Sequence, residues 1–137
     1  MIIVDTSVWS ELTRPAPDKR VIDLEAANTH LLWMSTVVLA EFRARAHLLP
    51  AGSRRDAIAD VIERIVAAYV DRLLTFDEPC SRWFGVVLAE ARQLGRPIST
   101  ADAMIAATAR AHGMRVATRD VNDFAGAGVE VINPWQP

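Results

Sequence analysis

Several features that mark secreted, metal-clustered or membrane proteins are missing from this sequence of 137 residues. Its single cysteine, Cys80, excludes an intramolecular disulfide and a cysteine-based zinc cluster. No apolar run approaches the ~20 residues that a membrane-spanning helix requires. No basic stretch precedes the first apolar residues, so we expect no signal peptide. Together these absences predict a soluble protein of a reducing, cytoplasmic compartment.

The chain also lacks an excess of positive charge. It has 17 acidic and 15 basic residues, a formal net charge of −2 and an isoelectric point of about 5.9. This balance argues against a polybasic surface that clamps nucleic acid. Hydrophobic residues make up 51% of the chain, which excludes intrinsic disorder. The length predicts one domain, residues 1–137.

Short apolar runs alternate with helical segments along the sequence. Strands are predicted at residues 2–4, 31–34, 75–76, 115–118 and 129–132. Helices are predicted at residues 7–13, 21–27, 36–47, 54–74, 79–94 and 100–112. This alternation is typical of an α/β domain with a mainly parallel central sheet, in which ligands bind beyond the carboxyl ends of the strands.

Acidic residues occur at the positions that such a sheet brings together. Asp5 and Asp120 follow predicted strands, and Glu41 and Asp102 lie early in helices of apolar and small residues. A charged residue among apolar neighbours is costly unless it is paired or bound to a metal. Strand ends and helix N-termini of one α/β sheet meet at the same edge, so we expect these acids to converge, with Asp123 close by.

Each acid also has a purely structural explanation. Asp5 can cap the helix that follows it. Asp102 stands three residues after Ser99, which resembles a capping box. Glu41 can form an i, i+4 ion pair with Arg45 on a solvated helix face. The two acids that follow the fourth strand can be ordinary loop residues.

Carboxylates held together without a lysine or histidine among them repel one another. A hard divalent cation compensates for this, and oxygen ligands suit Mg²⁺ or Mn²⁺. Such an ion lowers the pKa of its water and polarises a phosphodiester, and two ions about 3.5–4 Å apart stabilise both the attacking and the leaving oxygen. The pattern therefore predicts metal-assisted hydrolysis of a phosphate ester.

Four short motifs, in this order, resemble those of the PIN-domain ribonucleases, in particular the VapC toxins of type II toxin–antitoxin pairs. They read DTS at residues 5–7, STVVLAE at 35–41, STADAMIAA at 99–107 and TRDVNDF at 118–124. The resemblance covers essentially the whole chain. It implies a compact three-layer α/β/α domain that cleaves RNA endonucleolytically with Mg²⁺ or Mn²⁺.

The resemblance also implies roles for individual residues. The implied catalytic and metal-binding carboxylates, with an outer member last, are Asp5, Glu41, Asp102, Asp120 and Asp123. Ser7 and Thr118 are implied to hydrogen-bond the carboxylates, metal-bound water or the substrate. Members of the family commonly form homodimers and are inhibited by an antitoxin whose C-terminal tail fills a groove beside the site, which implies a heterotetramer or a larger complex.

Arg119, next to Asp120, is the residue that we predict to contact the RNA, because arginine binds phosphates and stacks on bases. The overall charge agrees with an RNA contact once the positions of the acidic residues are considered. Setting the five proposed site acids aside leaves 12 of the 17 acidic residues against 15 basic ones. The excess of negative charge is therefore local to an anion-binding site that depends on metal.

Three other functions compete with this prediction. A phosphatase with an aspartyl nucleophile needs a second aspartate two residues after the first, where this chain has Ser7. A phospho-receiver domain needs a lysine at the sheet edge, and Lys19 lies in a proline-rich loop. A non-catalytic binding module remains as the main alternative. In that case the acids would hold a partner's arginines, or the dimer would support DNA binding by its antitoxin.

Overall fold

A parallel β-sheet with helices packed around it organises the computed structural model, which describes residues 1–137. The strands are Ile2–Val4 (β1), Leu32–Ser35 (β2), Leu73–Leu74 (β3), Arg115–Ala117 (β4) and Val131–Ile132 (β5). The helices are Thr6–Leu12 (α1), Lys19–Asn28 (α2), Thr36–His47 (α3), Ser53–Tyr69 (α4), Glu78–Gln93 (α5) and Thr100–His112 (α6). The strand order is β3-β2-β1-β4-β5, and all neighbouring strands are parallel, which confirms the predicted α/β fold.

The central strand, β1, is buried along its whole length. Ile3 lies opposite Trp33 of β2 on one side and Val116 of β4 on the other. The pairing continues past the strand end, because the Asp5 amide donates to the Ala117 carbonyl at 2.9 Å. The carboxyl ends of three strands therefore lie side by side, and the residues that follow them are neighbours.

Two helices begin at this edge of the sheet. Ser35 caps α3 by accepting from the Val38 amide at 3.1 Å, and Ser99 caps α6 in the same way. The buried side of α6 consists mostly of alanine, which allows the helix axis to lie close to the sheet. Both helix N-termini thus point toward the ends of the strands. No helix of the structure has the length and apolar character needed to cross a membrane.

The predicted helix 54–74 and the predicted strand 75–76 are both wrong in their bounds. Helix α4 ends at Tyr69, a 3-10 turn covers Val70–Arg72, and β3 is formed by Leu73–Leu74. The apolar i, i+3, i+4 spacing continues through Leu73, so periodicity alone cannot show the end of the helix. What ends it is pairing with β2, which places Met34 opposite Leu73.

Arg110 of α6 ties the last part of the chain to the helices. Its Nη1 donates to Glu90 of α5 at 2.6 Å, and its guanidinium lies 4.5 Å from the centre of the Trp83 ring. Gly128 packs against it with a φ of +72°, and a Cβ at this position would lie 2.6 Å from Nη1. The backbone conformation therefore favours glycine here, and any side chain would have to displace the guanidinium.

We expect Gly128→Ala to lower the free energy of unfolding by about 1–2 kcal/mol, since alanine is strained at positive φ and its methyl group displaces the guanidinium. Urea denaturation measures the change. The matched control is Gly85→Ala in the middle of α5, where a Cβ meets nothing within 4 Å. That change should raise the stability by about 0.5–1 kcal/mol. Equal effects of the two substitutions would contradict this assignment.

Candidate active site

Asp5 stands directly after β1 and is only 6% exposed. It occupies the N-cap position of α1, yet its carboxylate caps no helix amide. Instead its Oδ2 accepts hydrogen bonds from the hydroxyls of Thr118, at 2.7 Å, and Ser7, at 3.1 Å. The capping explanation for this aspartate is therefore wrong.

The two hydroxyls that hold Asp5 are themselves fixed by the backbone beyond β4. Ser7 Oγ accepts from the Arg119 amide at 3.1 Å, and Thr118 Oγ1 accepts from the Asp120 amide at 3.0 Å. Each hydroxyl can thus direct its hydrogen to the carboxylate, because its oxygen already serves as an acceptor. Both bonds go to Oδ2, which leaves Oδ1 of Asp5 available for a ligand.

Glu41 lies on α3 and is oriented by a residue of α1. Thr6 Oγ1 donates to its Oε1 at 3.1 Å. The alternative ion pair with Arg45 does not form, since that arginine contacts Ser10 Oγ at 3.3 Å. Thr6 was not among the predicted site residues, although it lies inside the DTS motif. Only its position in the first turn of α1, facing α3, gives it this role.

The pKa of Asp102 indicates that several of the acids lie near one another. Its pKa is raised to about 6, mainly by partial burial and also by the charges of Asp5, Asp123 and Glu41, while a hydrogen bond with Ser99 acts in the opposite direction. The capping explanation holds in part, because Ser99 Oγ accepts from the Asp102 amide at 3.1 Å. The helix cap and the approach to other carboxylates therefore coexist.

The two acids after β4 differ in their relation to this cluster. Both side chains are exposed. Asp120 precedes the 3-10 turn Val121–Phe124, and its carbonyl accepts from the Asp123 amide at 3.0 Å. The charge of Asp123 is among the main contributions that raise the pKa of Asp102, and that of Asp120 is not. The charge of Asp123 therefore acts on Asp102, and its role as an outer metal ligand stays a prediction.

The side chain of Arg119, the predicted RNA contact, forms no ion pair with the acids of the site. Its guanidinium lies over the Trp135 ring, 4.2 Å from the ring centre, and its Nη2 is 3.9 Å from Glu11 Oε2. Glu11 is buried, and its other oxygen accepts from the Asp18 amide at 2.9 Å. No signal in the sequence marks Glu11 as buried, because glutamate is mostly exposed in folded proteins.

The donor set fits a hard divalent cation. No lysine, arginine or histidine forms an ion pair with the acids around Asp102, so their mutual repulsion is not neutralised by the protein. As the side chains stand, no three of them form a ready-made metal cage. Mg²⁺ does not need one, since it is usually held by one or two carboxylates and keeps several waters.

The raised pKa of Asp102 has a consequence for stability without metal. Its folded-state pKa, about 6, exceeds the ordinary value of 3.8, so its contribution to stability is present below 3.8 and is lost as the pH rises through 6. We expect Asp102→Asn, which mimics the protonated acid, to raise the unfolding free energy by about 1 kcal/mol at neutral pH in chelator.

Urea denaturation at neutral and at acidic pH checks this expectation. The advantage of the Asp102→Asn variant should disappear below the ordinary pKa of aspartate. Glu130→Gln, which changes a largely exposed carboxylate in the same way, is the control and should show no such gain. A gain for Asp102→Asn that is independent of pH would contradict the assigned shift.

Comparisons with known proteins agree with this geometry. The PIN domain family matches residues 2–129. A VapC ribonuclease from Sinorhizobium fredii, Y4jK, is 41% identical over 100% of this chain and 99% of its own length. Toxin FitB of Neisseria gonorrhoeae is 37% identical over 98% of this chain and 99% of its own. The crystal structure of FitAcB from the same organism matches with a TM-score of 0.92 and 37% identity, covering 100% of both chains.

Proposed function

The chain belongs to the PIN-domain family, and from its acidic site we propose that it is a divalent-metal-dependent endoribonuclease. The observation that carries the proposal is the environment of Asp102, whose pKa is raised by burial and by the charges of three other carboxylates, with no cationic side chain paired to any of them. A relative that is named a ribonuclease and aligns over the whole chain supports RNA as the substrate.

Asp5, Glu41 and Asp102 would hold Mg²⁺ or Mn²⁺ together with Asp123 or Asp120. When bound, such an ion lowers the pKa of a water molecule and polarises the phosphodiester. The contribution of the protein is orientation. Ser7 and Thr118 hold Oδ2 of Asp5 and leave Oδ1 as the oxygen that would bind the ion, and Thr6 holds one oxygen of Glu41. Preorganised ligands of this kind need little rearrangement during the reaction.

The purified protein should cleave single-stranded RNA when Mg²⁺ or Mn²⁺ is present, because the ion both neutralises the carboxylates and activates water. EDTA should stop cleavage, and adding back the metal should restore it. Gel electrophoresis of end-labelled RNA measures both. Cleavage that continues in EDTA would exclude the proposed chemistry. RNA binding without cleavage under any metal would favour the non-catalytic binding module.

We further propose that the protein is the toxin of a type II toxin–antitoxin pair and binds a cognate antitoxin. The support is the full-length similarity to a named toxin and to a solved complex of that toxin's system. Co-expression with the neighbouring open reading frame, followed by purification through a tag on one protein, tests this pairing. The homodimer and the cytoplasmic location stay predictions from the sequence, and size-exclusion chromatography checks the first of them.

A further inference from the structure

We propose that Arg14 and Arg119 form a second anion site that binds a non-scissile phosphate of the RNA strand beside the acidic cluster. This proposal rests on the proposed ribonuclease function and identifies where the substrate backbone passes. We call the guanidiniums of Arg14 and Arg119 the arginine pair. The carboxylate of Glu11 lies between them.

The buried carboxylate of Glu11 brings the arginine pair together. Its Oε2 is 3.4 Å from Arg14 Nη1 and 3.9 Å from Arg119 Nη2. The side chain of Glu11 is 6% exposed, whereas those of Arg14 and Arg119 are 62% and 49% exposed. Two cations therefore share one buried anion, which leaves a positive charge that faces solvent.

Neighbouring charges do not cancel this excess. Asp18 is a further acid nearby: its amide donates to Glu11, and the charge of Arg119 has a small effect on its pKa. Its carboxylate is already occupied by Arg20 at 2.8 Å, and hydrogen bonding to this arginine lowers the pKa of Asp18 to about 2. The local charge is therefore that of one unbalanced guanidinium, next to a cluster of carboxylates that would otherwise repel a polyanion.

Arg119 is held in place without using its hydrogen-bond donors. Its guanidinium stacks on Trp135, 4.2 Å from the ring centre, and its only hydrogen bond to another residue is made by the backbone amide. Trp135 is 7% exposed and is itself fixed by Arg20, which donates to the Trp135 carbonyl. A stacked, partly exposed guanidinium with free donors is ready to bind a phosphate through two N–H groups.

The arginine pair lies beside the acidic cluster, and this position is what suits it to bind a non-scissile phosphate. The Arg119 amide donates to Ser7 Oγ, and Ser7 donates to Asp5. The backbone of Arg119 is thus one hydroxyl away from a site carboxylate, while its side chain extends in another direction. A strand with one phosphate at the acidic cluster would place a neighbouring phosphate on the arginine pair.

Fluorescence anisotropy of a labelled single-stranded RNA tests the proposal. Binding is measured in Mg²⁺ with all variants in an Asp102→Asn background, which prevents cleavage. Arg119→Ala and Arg14→Ala should each weaken binding about tenfold, since a charge-assisted bond is lost. Each should also lower the slope of log affinity against log salt by about 0.7, the value for one phosphate contact in a single strand.

Arg115→Ala is the matched control. Arg115 begins β4 at the opposite edge of the sheet, is 42% exposed and has a similarly long ion pair, 3.7 Å to Glu130. It should change neither the affinity nor the salt slope. Thermal melting shows whether Arg119→Ala remains folded, and Arg14, which stacks on no ring, provides the independent variant.

The outcomes separate this proposal from the proposed function. If the unmutated protein does not cleave RNA but the arginine pair still controls binding and its salt slope, the site stands and the ribonuclease proposal fails. If RNA is cleaved but both variants behave like Arg115→Ala, the arginine-pair proposal is overturned. It is also overturned if affinity falls without a change in salt slope, which indicates a base contact, or if the Asp102→Asn protein binds no RNA.

Discussion

Replacing Asp5 or Asp102 with alanine is expected to lower the rate of RNA cleavage by at least about 10³-fold, because each removes a carboxylate that would hold the metal ion. Asp5 is the residue on which the hydroxyls of Ser7 and Thr118 converge. Asp102 is the residue whose pKa is raised by burial and by the charges of the three other carboxylates. A cleavage assay with purified protein at saturating metal measures the loss.

The same variants should remain folded. Removing a clustered acid relieves repulsion, and the cap of α6 survives because Ser99 accepts from the backbone amide of Asp102. Thermal melting without metal should therefore show no loss of stability for Asp102→Ala. Asp23→Ala, which removes a surface carboxylate paired with Lys19, serves as the control for activity. Full cleavage by both site variants would show that the acids are not the active site.

Replacing Trp9 with alanine is expected to have the largest effect on stability, a loss of about 3–5 kcal/mol. Trp9 is 1% exposed, its Nε1 donates to the Val4 carbonyl at 3.0 Å, and its ring meets Tyr69 edge to face at 4.8 Å. The substitution removes all three interactions and leaves a cavity between α1 and α4. Urea denaturation of the metal-free protein measures the loss.

Trp9→Phe distinguishes packing from the hydrogen bond. It keeps an aromatic ring in the core but leaves the Val4 carbonyl without its indole partner, which should cost about 1–2 kcal/mol. Val4 is the residue before Asp5, so cleavage by the phenylalanine variant also shows whether this bond helps to position the carboxylate. A loss of less than about 1 kcal/mol for Trp9→Ala would contradict the packing described above.

The parts of the fold that depend on local signals were predicted correctly. The apolar run before Asp5 forms β1, and Ser35 and Ser99 cap the helices that they were expected to begin. The strand Leu73–Leu74 was placed two residues too late. Its sequence fits the preceding helical pattern equally well, and only pairing with β2 decides between them.

The positions of the site acids also follow from local signals, whereas their contacts do not. Strand ends and helix starts were enough to predict that Asp5, Glu41 and Asp102 lie near one another, because a parallel sheet brings such positions together. The partners of these acids depend on which way short side chains point. Thr6 binds Glu41, and the pKa of Asp102 responds to Asp123. Neither contact follows from spacing, since it depends on the angle between α1 and α3 and on the path of the 3-10 turn.

The position of β1 between β2 and β4 has a consequence for protein synthesis. Asp5 is made before Thr118, the threonine that fixes it, which comes 113 residues later in the chain. Until Thr118 has left the ribosomal tunnel, the nascent chain lacks one of the two strands beside β1, the hydroxyl that orients the carboxylate and the acids of the last turn. The acidic site can therefore assemble only after β4 and the 3-10 turn beyond it have left the tunnel, so the ribosome making this chain is not exposed to a finished site before that point.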